Sequence, residues 1–319
     1  MRIISPVDNL TEAQGLLDAG ADELYGGYVP AAWEQEFGLL ASINQRTFSE
    51  AQIGSFDELA AIVALAHDHG RSFSLTLNAP FYAEAMLPRL LAYVDEAVDL
   101  GIDGVILADL GLVRLLARRH PRLPLHASTL AHLGNSEAVR FFHGQGISRA
   151  VLPRHLCVAD MAAIVARVPQ VRFDAFLLVG KCPNTEGLCT FHHSSPDRIW
   201  PCEIPYEIKA LEASASPRLL AAMARQGSWA TTNRRHGCGL CAIPHLAAAG
   251  IDGLKLVGRG APAAQKIKNI LLTRDFLHLA ENMKDFSEYR RQARRAHRLR
   301  FGSPCSPNVC YYPEFYEAE

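Results

Sequence analysis

Short apolar, β-branched runs alternate with amphipathic stretches along most of the chain, and a recurring phrase marks the return from helix to strand. It consists of a Gly, a small or apolar residue and Asp or Ser. It reads Ala19-Gly20-Ala21-Asp22 before Glu23-Leu24-Tyr25, Gly101-Ile102-Asp103-Gly104 before Val105-Ile106-Leu107, Gly146-Ile147-Ser148 before Ala150-Val151-Leu152, and Gly250-Ile251-Asp252-Gly253 before Leu254-Lys255-Leu256-Val257. Glycine suits the helix C-cap that precedes each strand. Adding Arg2 to Pro6, Ser72 to Asn78, Leu123 to Ser128 and Val171 to Val179, the pattern predicts eight strands. Amphipathic helices are predicted over Phe56 to His69, Leu87 to Leu100, Asn135 to Gly144 and Val158 to Val168. Continuously apolar strands separated by helices pair in parallel and are covered on both faces. Eight such units in about 250 residues predict an α/β chain folded as a closed (β/α)8 TIM-type barrel.

Two stretches break the spacing, and long insertions in compact domains are usually functional. One runs from Gly26 to Gly54, after the second strand, and the other from Gly180 to Cys241, between strands seven and eight. Both follow strand C-termini, the face where barrel active sites lie. Residues 1–270 are therefore expected to form the barrel, including the 180–241 cysteine-rich insertion. Residues 271–319 are expected to add a C-terminal helix and a Cys- and Pro-containing tail packed on it. Ala261 to Arg300 reads as helical, and its Arg-rich part, 289–300, suits a solvated face or an RNA-binding patch.

Composition narrows the class. With 49% hydrophobic and 20% charged residues, 23 Gly and 18 Pro in 319 residues, the chain is ordinary globular material, not a disordered chain, a fibre or a disulfide miniprotein. Lys plus Arg is 32 against 33 Asp plus Glu, so the net charge of -1 gives no global field for nucleic acid or anionic membrane. The opening Met-Arg-Ile-Ile-Ser-Pro lacks the charged, apolar and small-residue succession of a signal peptide, and no apolar run is long enough for a membrane span. A cytoplasmic protein is expected, whose cysteines serve as ligands, reactive thiols or packing rather than disulfides.

The eight cysteines are unevenly placed: none precedes Cys157, and Cys182, Cys189, Cys202, Cys238, Cys241, Cys305 and Cys310 follow. Thiolates gathered in a polar, Gly- and Pro-rich loop suit zinc or an iron-sulfur cluster. Structural zinc usually shows paired short knuckles, whereas Cys238-Gly-Leu-Cys241 is a lone C-x-x-C, and the radical-SAM and ferredoxin spacings are absent. Spacing leaves the metal open between the two.

Several blocks together resemble the U32 peptidase, or collagenase-like protease, family. They are Ser5-Pro6 with Asn9-Leu10, Ala19 to Gly27, Leu77-Asn78, Gly104 to Gly111, Leu125 to Thr129, Val151-Leu152-Pro153-Arg154 and Gly250 to Arg259. The likeness covers about residues 1 to 270, and its signature block is similar to Asp174-Ala175-Phe176 followed by Cys182, Gly187 and Cys189. The resemblance implies a barrel carrying an oxygen-sensitive 4Fe-4S cluster on Cys182, Cys189, Cys202 and Cys241. Members hydroxylate ubiquinone precursors, a transfer-RNA wobble uridine or a ribosomal-RNA cytidine without dioxygen, with prephenate as the implied oxygen donor. A heterodimer with a related family member is a further implication. The chain departs from the family pattern at Leu178-Val179, where His-Gly is usual, at His192 in place of Ser, and at His155 in place of Glu. Cys157, Cys238, Cys305 and Cys310 are not accounted for by the pattern.

Polar residues at strand ends supply the remaining candidates. Arg154, His155 and His126 are expected to be catalytic, Arg154 because a guanidinium there calls for a carboxylate and the histidines because imidazole moves protons near neutral pH. Tyr25, Asn78, Ser128 and the Gly258-Arg259-Gly260 turn are expected to bind substrate or an anion, the turn because it opens a helix where barrels hold phosphate. Asp109 reads as a helix N-cap. The expectation is an iron-sulfur-dependent, dioxygen-independent hydroxylase acting on an aromatic small molecule, with a quinone precursor favoured by the charge balance and an RNA base as the other substrate class. Alternatives are a peptidase, although H-E-x-x-H, G-x-S-x-G and C-G-x-C-[WY] are absent, and an RNA-binding module.

Overall fold

The architecture is a closed barrel of eight parallel strands in sequential order, seen in a computed structural model that describes residues 1–37, 43–46, 48–182, 186–188, 216–221, 223 and 236–316. The strands are β1 (Arg2–Pro6), β2 (Glu23–Gly26), β3 (Ser72–Leu77), β4 (Gly104–Leu107), β5 (Leu125–Ala127), β6 (Ile147–Val151), β7 (Arg172–Leu178) and β8 (Gly253–Leu256). Helices α1 (Leu10–Asp18), α3 (Phe56–Asp68), α4 (Leu87–Asp99), α5 (Leu110–Arg119), α6 (Ser136–Gly144), α7 (Val158–Arg167) and α8 (Ile243–Ala248) lie between them, with a short α2 (Ala31–Phe37) in the first insertion. All eight expected strands and the four named helices form within three residues of the sequence reading, the largest difference being β6, which starts at Ile147 rather than Ala150.

Local chemistry explains the boundaries. Asn9, Ser55, Asp109 and Asn135 cap helices by accepting N–H bonds from Glu12, Glu58, Leu112 and Ala138. The recurring glycine ends the helices in the left-handed region: Gly146 has φ 118°, and a Cβ there would lie 2.5 Å from that of Ala117. Leu24, Phe73 and Leu107 on the strands and Leu16, Ile62, Val94 and Leu116 on the helices are fully buried in the shell between sheet and helices. Each such side chain contributes roughly 1.5–3 kcal/mol.

The stretch from Ala261 to Arg300 is two helices, not one. α9 (Ala263–Asn282) stops before Asp285, which caps α10 (Phe286–Phe301) by accepting the Ser287 and Glu288 N–H groups. The tail then returns to the barrel. Cys238 N–H donates to Val309 O and Tyr311 N–H to Cys238 O, both at 2.9 Å, and Gly239 N–H donates to Leu177 O at 2.8 Å. The end of the second insertion and the tail are thereby laid against the end of β7. Among the described residues no helix is long and apolar enough to cross a membrane.

Inside the barrel the side chains form layers. Ile4, Tyr25 and Ile106 make a small apolar cluster. Towards the strand N-termini lies a charged floor that the strand pattern did not predict. The Arg149 guanidinium donates to Glu23 Oε2 at 2.5 Å and Asp174 Oδ1 at 2.9 Å, and Ser74 Oγ donates to Glu23 Oε1 at 2.8 Å. Gly253 makes room for Asp174, since a Cβ there would sit 2.3 Å from the carboxylate.

Candidate active site at the barrel mouth

The strand C-termini open on a mouth with two sides. On the β6–β7 side, Arg154 follows β6 and pairs with Glu186 of the insertion, and its guanidinium carbon stands 3.7 Å from the centre of the Phe176 ring. The Tyr311 ring lies parallel to that of Phe176, centroids 6.3 Å apart and planes 10° apart, and Tyr311 donates its hydroxyl to Val179 O. Tyr312 donates to Phe176 O at 2.7 Å. Tyr311 and Tyr312 are both buried, so the tail is part of the wall of the site. Sequence reading did not find them, because their contacts join positions more than a hundred residues apart.

The partner expected for Arg154 is supplied by the chain itself. Glu186 takes the place foreseen for a bound carboxylate, and both side chains are largely buried. Glu186 Oε2 and Arg154 Nε keep no hydrogen-bond partner among the described residues. Gly187 explains the closeness of this segment, since a Cβ there would lie 2.2 Å from His132 Cβ. Glu186→Gln is expected to destabilise the fold by roughly 3 kcal/mol, because it leaves a buried guanidinium without its counter-charge. A denaturant titration checks this, and a change within error would show that the pair does not anchor the insertion.

Cys182 lies four residues beyond β7, close enough to Arg154 and Tyr311 for their charges to interact. Cys241, in the turn Leu240–Ala242 that leads into α8, has its thiol pushed up to about 11 by burial and by Cys305, against the pull of Arg294 and Arg290. Cys189, Cys202 and His192 lie outside the described residues. Cys238, Cys305 and Cys310 gather near Cys241, and a hydrogen bond from its neighbour Cys310 draws the Cys305 thiol down to about 7. Among the described residues no group of three or more His, Cys, Asp or Glu has metal-binding geometry. The donor chemistry nevertheless suits a soft metal: thiols just beyond β7, at Cys182, and just before α8, at Cys241, are the donors such a metal takes, and binding it would have to drive the proton from the buried Cys241.

On the β8–β1 side the foreseen anion site is filled from within. Gly260 N–H donates to Asp8 Oδ2 at 2.6 Å, and Lys266 pairs with both Asp8 and Glu12. The turn therefore binds the chain's own carboxylate rather than offering an open cradle. Arg259 instead reaches across the mouth, donating to Thr76 Oγ1 at 3.0 Å and Asn44 O at 2.5 Å. Burial lowers its pKa, and its charge acts on Tyr25, whose hydroxyl donates to Leu256 O at 2.7 Å. Asn78, just past β3, has a buried Oδ1 with no hydrogen-bond partner among the described residues.

The remaining candidates occupy different places in the fold. His126 does not face the cleft: it lies among the floor charges under Gly104, 4% exposed, and burial followed by the Arg149 charge lowers its pKa to about 3. A neutral imidazole sealed there exchanges no proton with a ligand at the mouth. Ser128 caps a short turn by accepting the Leu130 N–H at 3.2 Å, and Asp109 caps α5 as expected. His155 is exposed on the rim, its ring 5.5 Å from that of His132.

The model of peptidase family U32 matches residues 8–312. The chain belongs to this family. Among its U32 relatives is tRNA hydroxylation protein P of Escherichia coli, 26% identical over 188 residues, which cover 59% of this chain and 38% of that protein. tRNA hydroxylation protein P1 of Bacillus subtilis is 24% identical over 264 residues, covering 81% of this chain and 58% of that one. The chain thus spans between about a third and three fifths of the length of these relatives. The solved structure of the U32 peptidase Mk0906 superposes with a TM-score of 0.53 at 17% identity, covering 82% of this chain and 94% of that one, which supports the barrel fold.

Proposed function

We propose that this chain is an iron-sulfur-dependent hydroxylase of RNA bases that works without dioxygen. The observation that carries the reading is the mouth: Arg154 and Arg259 stand at the strand C-termini of a closed barrel, with Cys182 beside Arg154 and Cys241 in the turn by which the same insertion re-enters the barrel. The named activity of the U32 relatives supports RNA as the substrate class. It also displaces the quinone precursor, which the net charge had favoured. The net charge of -1 does not weigh against RNA, because basic residues are concentrated: α10 exposes Arg291, Arg295 and Arg298 along one face, and Arg290 and Arg294 act on Cys241. Clustered cations beside the site suit a phosphate backbone. The peptidase alternative gains nothing from the expected histidines, with His126 sealed in the floor and His155 out on the rim.

Cys182, Cys189, Cys202 and Cys241 would hold a 4Fe-4S cluster, with zinc as the alternative occupant. When bound, that cluster supplies single-electron transfer. The chain's own residues bind and orient. Arg259, whose acceptors are neutral, attracts an anionic donor such as prephenate, Arg154 holds Glu186 and the insertion in place, Asn78 offers an unpaired acceptor to a base or a donor hydroxyl, and Tyr311 and Tyr312 exclude water on the β7 side. His155 is the imidazole placed to exchange a proton with solvent.

In a strain lacking this chain, grown without oxygen, a hydroxylated nucleoside is expected to disappear from digested RNA while quinone content stays normal. Nucleoside and quinone mass spectrometry on the same cells reads both. Normal RNA with depleted quinone would overturn the substrate assignment.

A further inference from the structure

One buried cation in the lumen is used by nothing described so far. Lys255 lies on β8 opposite Ile4 of β1 and Phe176 of β7, and its Nζ rests 3.7 Å from the centre of the Tyr25 ring. The residue is 8% exposed, and no hydrogen bond is made by its amine among the described residues, nor is that atom sealed from solvent. It is not needed by the floor, where Arg149 and Ser74 already donate to Glu23 and Asp174. A structural lysine at this depth would be expected to donate to those acids, because an ammonium without acceptors is costly to bury.

We propose that Lys255 is a nucleophilic amine that forms an imine with a small 2-oxo acid held in the upper half of the barrel lumen. The site shares Arg259 with the RNA-hydroxylase reading, but its chemistry needs neither RNA nor a metal. The carbonyl carbon is attacked by the neutral amine, forming the C–N bond. The carbonyl oxygen then leaves as water with both amine hydrogens, and the imine nitrogen takes a proton from solvent. Arg259 provides for the acid's carboxylate: its guanidinium is near enough to Tyr25 for its charge to act there, and its two acceptors, Thr76 Oγ1 and Asn44 O, are neutral. Ile4, Tyr25, Ile106 and Phe176 give the substrate's carbon chain an apolar wall.

The surroundings also favour the neutral amine. Burial lowers Lys255 to about 8, while Asp174 on β7 and Glu23 on β2 pull it up and Arg149 on β6 and Arg259 after β8 push it down. The amine is thus deprotonated in a useful fraction near neutral pH, as imine-forming lysines require.

The test incubates the full chain with pyruvate and sodium cyanoborohydride and follows the intact mass and peptide map. One reduced adduct is expected, on Lys255, with trapping rising across about pH 7 to 9 as the amine loses its proton. Lys255→Met and Lys255→Arg, with unchanged circular dichroism, are expected to cut trapping by roughly ten-fold or more. An unmodified wild-type chain would overturn the proposal, as would an adduct spread over surface lysines or persisting in both variants. Because the adduct does not depend on RNA, its loss leaves the hydroxylase reading intact, and unaltered cellular RNA leaves the adduct intact.

Discussion

Purified without oxygen, the full chain is expected to be brown and to hold about four irons, and replacing any one of Cys182, Cys189, Cys202 or Cys241 by Ala is expected to bleach it. Each of the four thiolates would hold one iron, so losing one is expected to expose the cluster and cost most of the bound metal rather than a quarter of it. Cys305→Ala and Cys310→Ala are expected to keep the colour, since those thiols hydrogen-bond to one another beside Cys241. Metal analysis with a visible spectrum decides the matter. A colourless protein with stoichiometric zinc would put zinc in the site and remove the electron-transfer role.

Arg149→Met is expected to destabilise the fold by about 3–5 kcal/mol, the largest effect of any single change outside the cysteines. The guanidinium is 1% exposed and bridges Glu23 and Asp174, so removing it leaves two buried carboxylates without their shared cation. The pH dependence gives a second readout. Burial opposes ionisation of Glu23, but the Arg149 charge, with His126 and the Arg149 and Ser74 hydrogen bonds, overcomes it and brings its pKa from 4.5 to about 2. A carboxylate held below its unfolded value stabilises the fold above that value, and the benefit, about 3 kcal/mol here, is lost as pH falls from about 4.5 towards 2. In Arg149→Met the sign reverses. Both acids then titrate above their unfolded values, so acidification is expected to raise stability only down to about pH 4.5 and to leave it nearly flat from there to about 2, where the wild type loses stability. Chemical denaturation at several pH values checks this, and parallel profiles for the two proteins would show that the floor does not set acid stability.

Strand positions were readable because a parallel barrel buries both strand faces and each helix ends on the same glycine phrase. Which way a side chain points was harder. β5 has three residues and a register shift between Leu125 and His126, so the sequence places His126 on the strand without saying that it faces the floor. The floor left a usable trace: Glu23, Arg149 and Asp174 are charges inside otherwise apolar strands, which in a closed barrel must neutralise one another. The break between α9 and α10 was also visible, since Asp285-Phe286-Ser287-Glu288 has the spacing of a capping box. Long-range occupancy was not. Nothing local shows that Asp8 fills the Gly260 turn, that Glu186 meets Arg154, or that Tyr311 and Tyr312 wall the mouth.

The central claim is that cysteine-held metal in this barrel supports hydroxylation of an RNA base. Its most direct test returns either the wild-type chain or Cys241→Ala to the deletion strain under anoxia and measures the missing nucleoside by mass spectrometry at matched protein levels. Full restoration by the wild-type chain and roughly hundred-fold less by the variant is the predicted result. Equal restoration by Cys241→Ala would contradict it.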